Sequence, residues 1–255
     1  MKVSLITIVF NNKEHIAGCI RSVINQTYQN VEYIVIDGGS TDGTKEVIES
    51  FEERIAFFES GPDKGLYDAL NKGIKLATGD IIGILHSDDL FHTDTIIEDV
   101  VKVFVSEFSD IVYGNGVYVD RDDVTKIKRI YSSSFFKNYY LKFGWIPLHT
   151  TIFVKRNVFE ELGLYSLNYS IASDYDISLR WFRENSLKKV FLDKCLVKMR
   201  LGGKSTSLNL QKAKSLQDLA IIKKHNLWGV ITLGFKLIRK VPQYLRPIFI
   251  GNKIP

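Results

Sequence analysis

The chain has 255 residues, 45% of them apolar, and a formal net charge of +5. That size and composition suit one large α/β domain or two joined lobes and exclude a disordered chain. No apolar run approaches the roughly 18 residues of a membrane span. The opening MKVSLITIVFNN turns polar too soon for a secretory signal, so a cytoplasmic protein is expected.

Residues 3–10 form an apolar, β-rich run and predict a first strand, ended by Asn11 and Asn12, which can cap a helix. That helix carries Ile16, Ile20, Val23 and Ile24 on one face. A second buried strand is expected over 31–36, followed by the glycine-rich loop Asp37-Gly38-Gly39-Ser40-Thr41-Asp42-Gly43-Thr44. Asp42 or Thr44 can cap the next helix, and residues 54–59 predict a third strand. The turn cluster Ser60-Gly61-Pro62-Asp63-Lys64-Gly65 opens a helix with Leu66, Ala69, Leu70, Gly73, Ile74 and Ala77 at helical spacing.

A fourth strand centres on Ile81, Ile82, Ile84 and Leu85 and stops at His86-Ser87-Asp88-Asp89. Two adjacent carboxylates at a strand end repel, so either a divalent cation offsets them or the turn is solvated and caps the next helix. Four strand-helix alternations in the first ninety residues mean a parallel sheet with crossover helices. Ligands of such sheets sit beyond the carboxyl ends of the strands. Asn11, Asp37 and the Asp88-Asp89 pair should therefore converge.

A helix is expected over 93–108, then strands over 111–119 and 124–131 around a polar turn, and an aromatic-rich segment over 135–145. A strand over 150–154, helices over 156–162 and 174–185, and a strand over 190–199 complete this part. A soft boundary falls near Gly114-Asn115-Gly116, giving an expected division into 1–115, 116–208 and a tail over 209–255. Cys19 and Cys195 have no CxxC or metal-ligand spacing and read as core thiols of a reducing compartment.

The tail concentrates the positive charge. No acid follows Asp218, while Lys223, Lys224, Lys236, Arg239, Lys240, Arg246 and Lys253 do. Interleaved with them are Leu227, Trp228, Val230, Ile231, Leu233, Phe235, Leu237 and Ile238, then Tyr244, Ile248, Phe249 and Ile250. Such a helix lies on an anionic membrane surface or packs on the body with a solvated basic side; the membrane reading is preferred, and nucleic acid is not expected.

The Asp37 loop invites three readings. A phosphate-gripping ATPase loop wants this wording in an N-terminal hairpin, a phosphatase motif does not fit around Asp37, and a nucleoside site at the sheet edge suits its position. The glycines do not match GxGxxG, so a dinucleotide fingerprint is absent.

SLITIVFNN, SVINQTYQNVEYIVIDGGSTDGT and GPDKGLYDALNKGIKLATGDIIGILHSDD, in that order and spacing, closely resemble the family 2 glycosyltransferases of bacterial surface-polysaccharide type. The later HTTIFVKRNVFEELGLYSLNYSIASDYDISLR resembles that family's acceptor-side block. The resemblance implies an α/β GT-A fold, with a mostly parallel central sheet flanked by helices and a C-terminal helical tail. It further implies a nucleotide-sugar donor, a divalent cation (Mn²⁺ or Mg²⁺) and transfer with inversion. The acceptor would be a lipid-linked glycan at the inner face of the cytoplasmic membrane, where the protein would sit peripherally.

The same resemblance places the nucleoside at Asp37, beside Asn11, and gives Asp88 and Asp89 to the ribose, sugar and metal bridging the diphosphate. Lys64, Asp68 and Asn71 are donor-side candidates, with a solvated turn, capping and surface roles as their alternatives. Asp174 matches the catalytic base, a carboxylate that takes the acceptor hydroxyl proton. N-capping competes with that role, and Asp176, which can pair with Arg180, is the runner-up. His149 is an acceptor-site or buried structural histidine, and Lys204 could reach the diphosphate. Two departures stand out: Gly38 follows Asp37 where many relatives carry a second acid, and His86 stands where many carry an acid two residues before Asp88.

Two other classes are weighed. A nucleotidyltransferase wants a glycine-rich basic loop after strand one, where this chain has Asn11-Asn12-Lys13. A non-catalytic sugar-nucleotide-binding module is the third reading.

Overall fold

Runs that are apolar without alternation need cover on both faces, and the first four strands have it. β1 (Val3–Val9), β2 (Val31–Asp37), β3 (Phe57–Ser60) and β4 (Ile81–Ile84) pair in parallel in the order β3-β2-β1-β4. Successive side chains point to opposite faces. Leu5, Tyr33 and Val35 therefore pack under α1 (Lys13–Ile24) and α2 (Thr44–Glu49), while Ile6, Ile34 and Ile36 pack under α3 (Leu66–Leu76). The computed structural model describes residues 1–202 and 208–250.

The sheet does not stop at the expected boundary. A two-residue strand that the sequence does not announce, β5 (Leu90–Phe91), precedes α4 (Ile96–Glu107). β6 (Ile111–Val119) pairs antiparallel with β7 (Ile127–Tyr131) and with β8 (Ile152–Lys155), and β8 is antiparallel to β4. After α5 (Arg156–Leu162) and α6 (Ser173–Arg183), β9 (Lys189–Arg200) runs parallel to β6 and antiparallel to β5. The order is β3-β2-β1-β4-β8-β6-β9-β5, one nine-stranded sheet with β7 attached to β6.

Three strands start later than the sequence predicts. Glu52–Arg54 is a 3-10 turn, so β3 begins at Phe57. Asp123 accepts the Thr125 N–H at 3.0 Å and its hydroxyl at 2.5 Å, which holds a turn open until Ile127. Thr151 donates its hydroxyl to the carbonyls of Gly114 and Leu148, fixing a 3-10 turn over His149–Thr151 before β8. Cys19 and Cys195 are both free and buried.

The tail is three helices, α7 (Leu208–Lys224), α8 (Val230–Ile238) and α9 (Lys240–Ile250). Ile221 and Ile222 are fully buried in the main core, and Leu227 and Leu233 pack against it. Phe143 packs against Trp228 and Phe235 at 5.3 and 5.1 Å between centroids. Gly144 lets α8 come this close: it has φ +66, and a Cβ there would stand 2.6 Å from the Lys236 main chain. On α9, Gln243 accepts from the guanidinium of Arg129 and Arg246 donates to Ser132. The body-packed arrangement thus describes one face of the tail. The other face leaves Val230, Ile231, Ile238, Val241, Ile248 and Phe249 exposed. Among the described residues no helix is long and apolar enough to cross a membrane.

Candidate active site

The loops after β1 and β2 lock together at the carboxyl edge of the sheet. Asn11 has φ +49, and its side-chain oxygen accepts the Thr41 N–H at 2.9 Å while its own N–H donates to Ser40 Oγ at 2.7 Å. Asp37, 1% exposed, accepts from the Ser40 N–H and hydroxyl and from the Ser60 hydroxyl. Its charge is therefore spread over neutral donors before any ligand arrives. Asp42 accepts the N–H groups of Thr44 and Lys13, serving the starts of α2 and α1 together. Asn12 does not cap α1 through its side chain; its amide donates to Ser87 Oγ at 2.9 Å and ties this edge to the acidic loop.

The space beside Gly38 is taken. A Cβ on Gly38 would lie 2.6 Å from Asp63 Oδ2, so a carboxylate from the loop after β3 crowds the place of the missing second acid. Lys64 is exposed. Asp68 accepts the Lys64 N–H at 3.0 Å, and buried Asn71 bonds both the carbonyl and the N–H of Tyr165. Those bonds tie Asp68 to the turn before α3 and make Asn71 a brace between α3 and the second half of the chain.

Beyond β4 the chain turns through His86 to Asp89, closed by the Asp89 N–H donating to the His86 carbonyl at 2.9 Å. Asp88 is half-buried, and its carbonyl accepts from Arg200 Nη1 at 2.7 Å. Asp89 is 1% exposed, and its Oδ2 is buried with no hydrogen-bond partner. Burial, then the neighbouring Asp88 charge, push its carboxyl well above the usual range. A divalent cation would relieve both strains. Among the described residues no three His, Cys, Asp or Glu side chains gather as a metal cage. Of the oxygen donors in this loop, Asp88 and Asp89 are the carboxylates that could hold a cation.

Asp174 lies one residue inside α6, whose N-cap is Ala172. Tyr67, from the first turn of α3, donates its hydroxyl to Asp174 Oδ1 at 3.2 Å. His149 Nδ1 stands 3.6 Å from Asp174 Oδ2. The other nitrogen of His149, Nε2, meets His86 Nε2 at 2.7 Å. Burial lowers both histidines, His149 to about 4, so both rings are neutral at pH 7. Burial also opposes ionisation of Asp174, but the charges of Lys214 and Lys236 and the Tyr175 N–H help outweigh it and hold the carboxyl at about 2.

The runner-up carboxylate is engaged elsewhere. Asp176 is 1% exposed and pairs with Arg180 at 3.3 Å, Lys224 at 3.0 Å and His225 at 3.0 Å, binding α6 to α7. Lys204 lies outside the described residues. Sequence reasoning missed Tyr67 and the His86–His149 contact. Tyr67 shares a helical face with Asn71 and Ile74, a periodicity that could have marked it as inward-facing.

Residues 4–163 match the family described as Glycosyl transferase family 2. A PGL/p-HBAD biosynthesis glycosyltransferase of Mycobacterium bovis is 30% identical over 188 residues, covering 72% of this chain and 71% of that protein. The structure of S. aureus TarS 1–349 in complex with UDP-GlcNAc aligns with a TM-score of 0.69 at 17% identity, over 96% of this chain and 73% of that one. Against a longer TarS structure the chain spans 44% of the length. The mannosyltransferase PcManGT from Pyrobaculum calidifontis, in complex with GDP-Man and Mn2+, gives a TM-score of 0.68 at 16% identity, over 98% and 76%. At those identities the solved structures establish a shared fold.

Proposed function

The chain belongs to glycosyl transferase family 2 and has the GT-A fold, and from that premise we propose that it is an inverting, cation-dependent enzyme. It moves one sugar from a nucleotide-diphosphate donor to a lipid-linked glycan. The donor lies along the carboxyl edge of β1, β2 and β4, its nucleoside framed by Asn11 and Asp37. Asp88 and Asp89 would hold Mn²⁺ or Mg²⁺, which neutralises the charge growing on the departing diphosphate. The acceptor hydroxyl attacks the anomeric carbon opposite the leaving group. The new glycosidic bond forms, the bond to the diphosphate breaks, and the hydroxyl proton passes to Asp174. Tyr67 holds one oxygen of that carboxylate and leaves the other facing His149.

The observation that carries this reading is the chain of contacts that joins Asp174 to the acidic loop. One histidine, His149, separates Asp174 from His86 in the loop that ends in Asp88 and Asp89. A base for the nucleophile and oxygen ligands for the leaving group thus lie at the two ends of one contact chain. Asp174→Asn tests it: transfer falls about 10²–10⁴-fold while calorimetric binding of the sugar nucleotide persists. Transfer at wild-type rate overturns the assignment. Release of pyrophosphate instead of a nucleoside diphosphate would favour a nucleotidyltransferase.

The lipid-linked acceptor and peripheral membrane location have separate support. Arg129, 8% exposed, sits among the rings of Tyr118, Tyr131 and Tyr244 at 4.7–5.5 Å and bonds Gln243, with no acid in ion-pair range among the described residues. Lys214 and Lys240 likewise form no ion pair among the described residues, and the charges of Arg129 and Lys214 help lower Lys240 after burial. Clustered cations beside an exposed apolar helix face suit a phosphate-bearing lipid at an anionic membrane surface.

A further inference from the structure

We infer that His149, held by His86, is a positioning residue that couples the acidic donor loop to the carboxylate of Asp174. The inference rests on the reading of Asp174 as the base.

Two imidazole nitrogens at 2.7 Å require one hydrogen between them, because two lone pairs repel and two N–H groups clash. That leaves two arrangements. If His149 Nε2 donates, its Nδ1 is a bare lone pair turned toward Asp174 Oδ2 at 3.6 Å, and the contact is repulsive. If His86 Nε2 donates, His149 accepts at Nε2 and carries its hydrogen on Nδ1, aimed at the carboxylate. Only the second arrangement satisfies both neighbours. Donation then runs in one direction, from His86 to His149 to Asp174.

The three members come from parts of the chain far apart in sequence. His86 belongs to the loop after β4, His149 to the turn before β8, and Asp174 to α6. Each is anchored by its own surroundings. The His86 carbonyl accepts from Cys19 Sγ at 3.2 Å and from the Asp89 N–H, so the ring moves with the acidic loop. The His149 turn is pinned by the Thr151 hydroxyl on Gly114 and Leu148. Burial holds the His149 ring at about 4, so at pH 7 it has one hydrogen to place. At 3.6 Å the last step is an electrostatic contact, short of a hydrogen bond, and such contacts in ligand-free sites tighten when substrate loads. Loading the acidic loop is thus felt at Asp174 through two rings.

This also gives His86 a task. Its Nε2 is occupied by His149 and is not free to act as the ligand an acid would be at that position.

Histidine ¹⁵N–¹H correlation spectra of the full wild-type chain test the arrangement without any ligand. The five histidines are assigned by single His→Gln variants. The expected result is the Nδ1–H tautomer at His149 and the Nε2–H tautomer at His86; the Nε2–H tautomer at His149 overturns the inference. A second arm measures nucleoside diphosphate release with Mn²⁺ and the member of a UDP- and GDP-sugar panel that raises Tm most. His149→Ala lowers kcat about tenfold with donor KM unchanged, and His149→Asn, which keeps an N–H near the Nδ1 position, recovers most of it. The double variant His86→Ala/His149→Ala falls no further than His149→Ala alone. Multiplicative losses overturn the coupling. An Asp174→Asn protein that turns over normally, with the tautomers as expected, defeats the base assignment and leaves the geometry of the relay standing.

Discussion

The donor half and the tail-bearing half neutralise their charges in opposite ways. In the donor half these carboxylates are answered by neutral groups: Asp37 by Ser40 and Ser60, 3 and 23 residues away, and Asp42 by Thr44 and the Lys13 N–H, 2 and 29 residues away. In the other half several buried charges have charged or aromatic partners, with Gln243 a neutral one, and these lie far off in sequence. Asp176 binds Lys224 and His225, 48 and 49 residues on, Arg129 binds Gln243, 114 residues on, and Lys236 pairs with Asp218 while lying 3.3 Å from the Tyr175 ring centroid. Neutral compensation leaves the edge at Asp37 and Asp42 formed without a ligand, which lowers the ordering needed on binding. Remote, charged compensation makes the tail a structural part of the second half of the chain.

The largest effect should follow from breaking that remote compensation at its most buried point. Burial opposes the Asp176 charge, but His225, Lys224 and Arg180 hold its carboxyl at about 2. Asp176→Ala leaves those cations facing an emptied, buried site and should cost about 3 kcal/mol of unfolding free energy, read by urea denaturation. Asp37→Ser, which removes a carboxylate held by neutral donors, should cost about 1–2 kcal/mol. Equal losses would dissolve the contrast.

What could be read from the sequence follows the same division. Four strand-helix units, each announced by nearby turn residues and helical spacing, placed Asn11, Asp37 and Asp88-Asp89 on one edge because that edge follows from chain order alone. The second half has no such signal. β8 enters antiparallel between β4 and β6, and that insertion brings His149 to His86 across 63 residues and, with α6, Tyr67 to Asp174 across 107. No local pattern encodes a contact of that range. The late starts of β7 and β8 have a local cause that propensity overlooks: Asp123 and Thr151 offer the backbone side-chain partners that compete with the sheet. In the tail, apolar residues occur all round α8 and α9, so helical spacing posed packing and membrane contact as rivals. The structure uses one face for packing and leaves the other exposed.

Separating those two faces is the next test. Ile248 and Phe249 are 74% and 81% exposed, at the end of α9. Ile248→Ser/Phe249→Ser should weaken co-sedimentation with phosphatidylglycerol-rich vesicles about tenfold or more, since each inserted apolar side chain contributes about 1–2 kcal/mol. Tm should stay within about 1 °C, because neither substitution touches the docked face. Undiminished vesicle binding would remove the membrane role from the outer face.

Glu32 offers the smallest and sharpest test, because it lies in the donor half yet has distant partners. Lys2, 30 residues away, pairs with it at 2.5 Å, and Ser4 and Thr78 donate hydroxyls to it. Burial opposes its ionisation, but those partners win and hold the carboxyl at about 2, against an ordinary value of 4.5. The folded pKa is depressed, so its contribution is fully present above pH 4.5 and is lost as pH falls from there through about 2. Lys2 is 39% exposed and solvent screens the pair, so the contribution is about 1 kcal/mol rather than the full value of the shift. Glu32→Gln should therefore be about 1 kcal/mol less stable than wild type at pH 7, with the gap closing as pH approaches 2. A gap that stays constant across that window would mean that hydrogen bonding alone, not the charge of Glu32, joins β1, β2 and the residues before β4 at this edge.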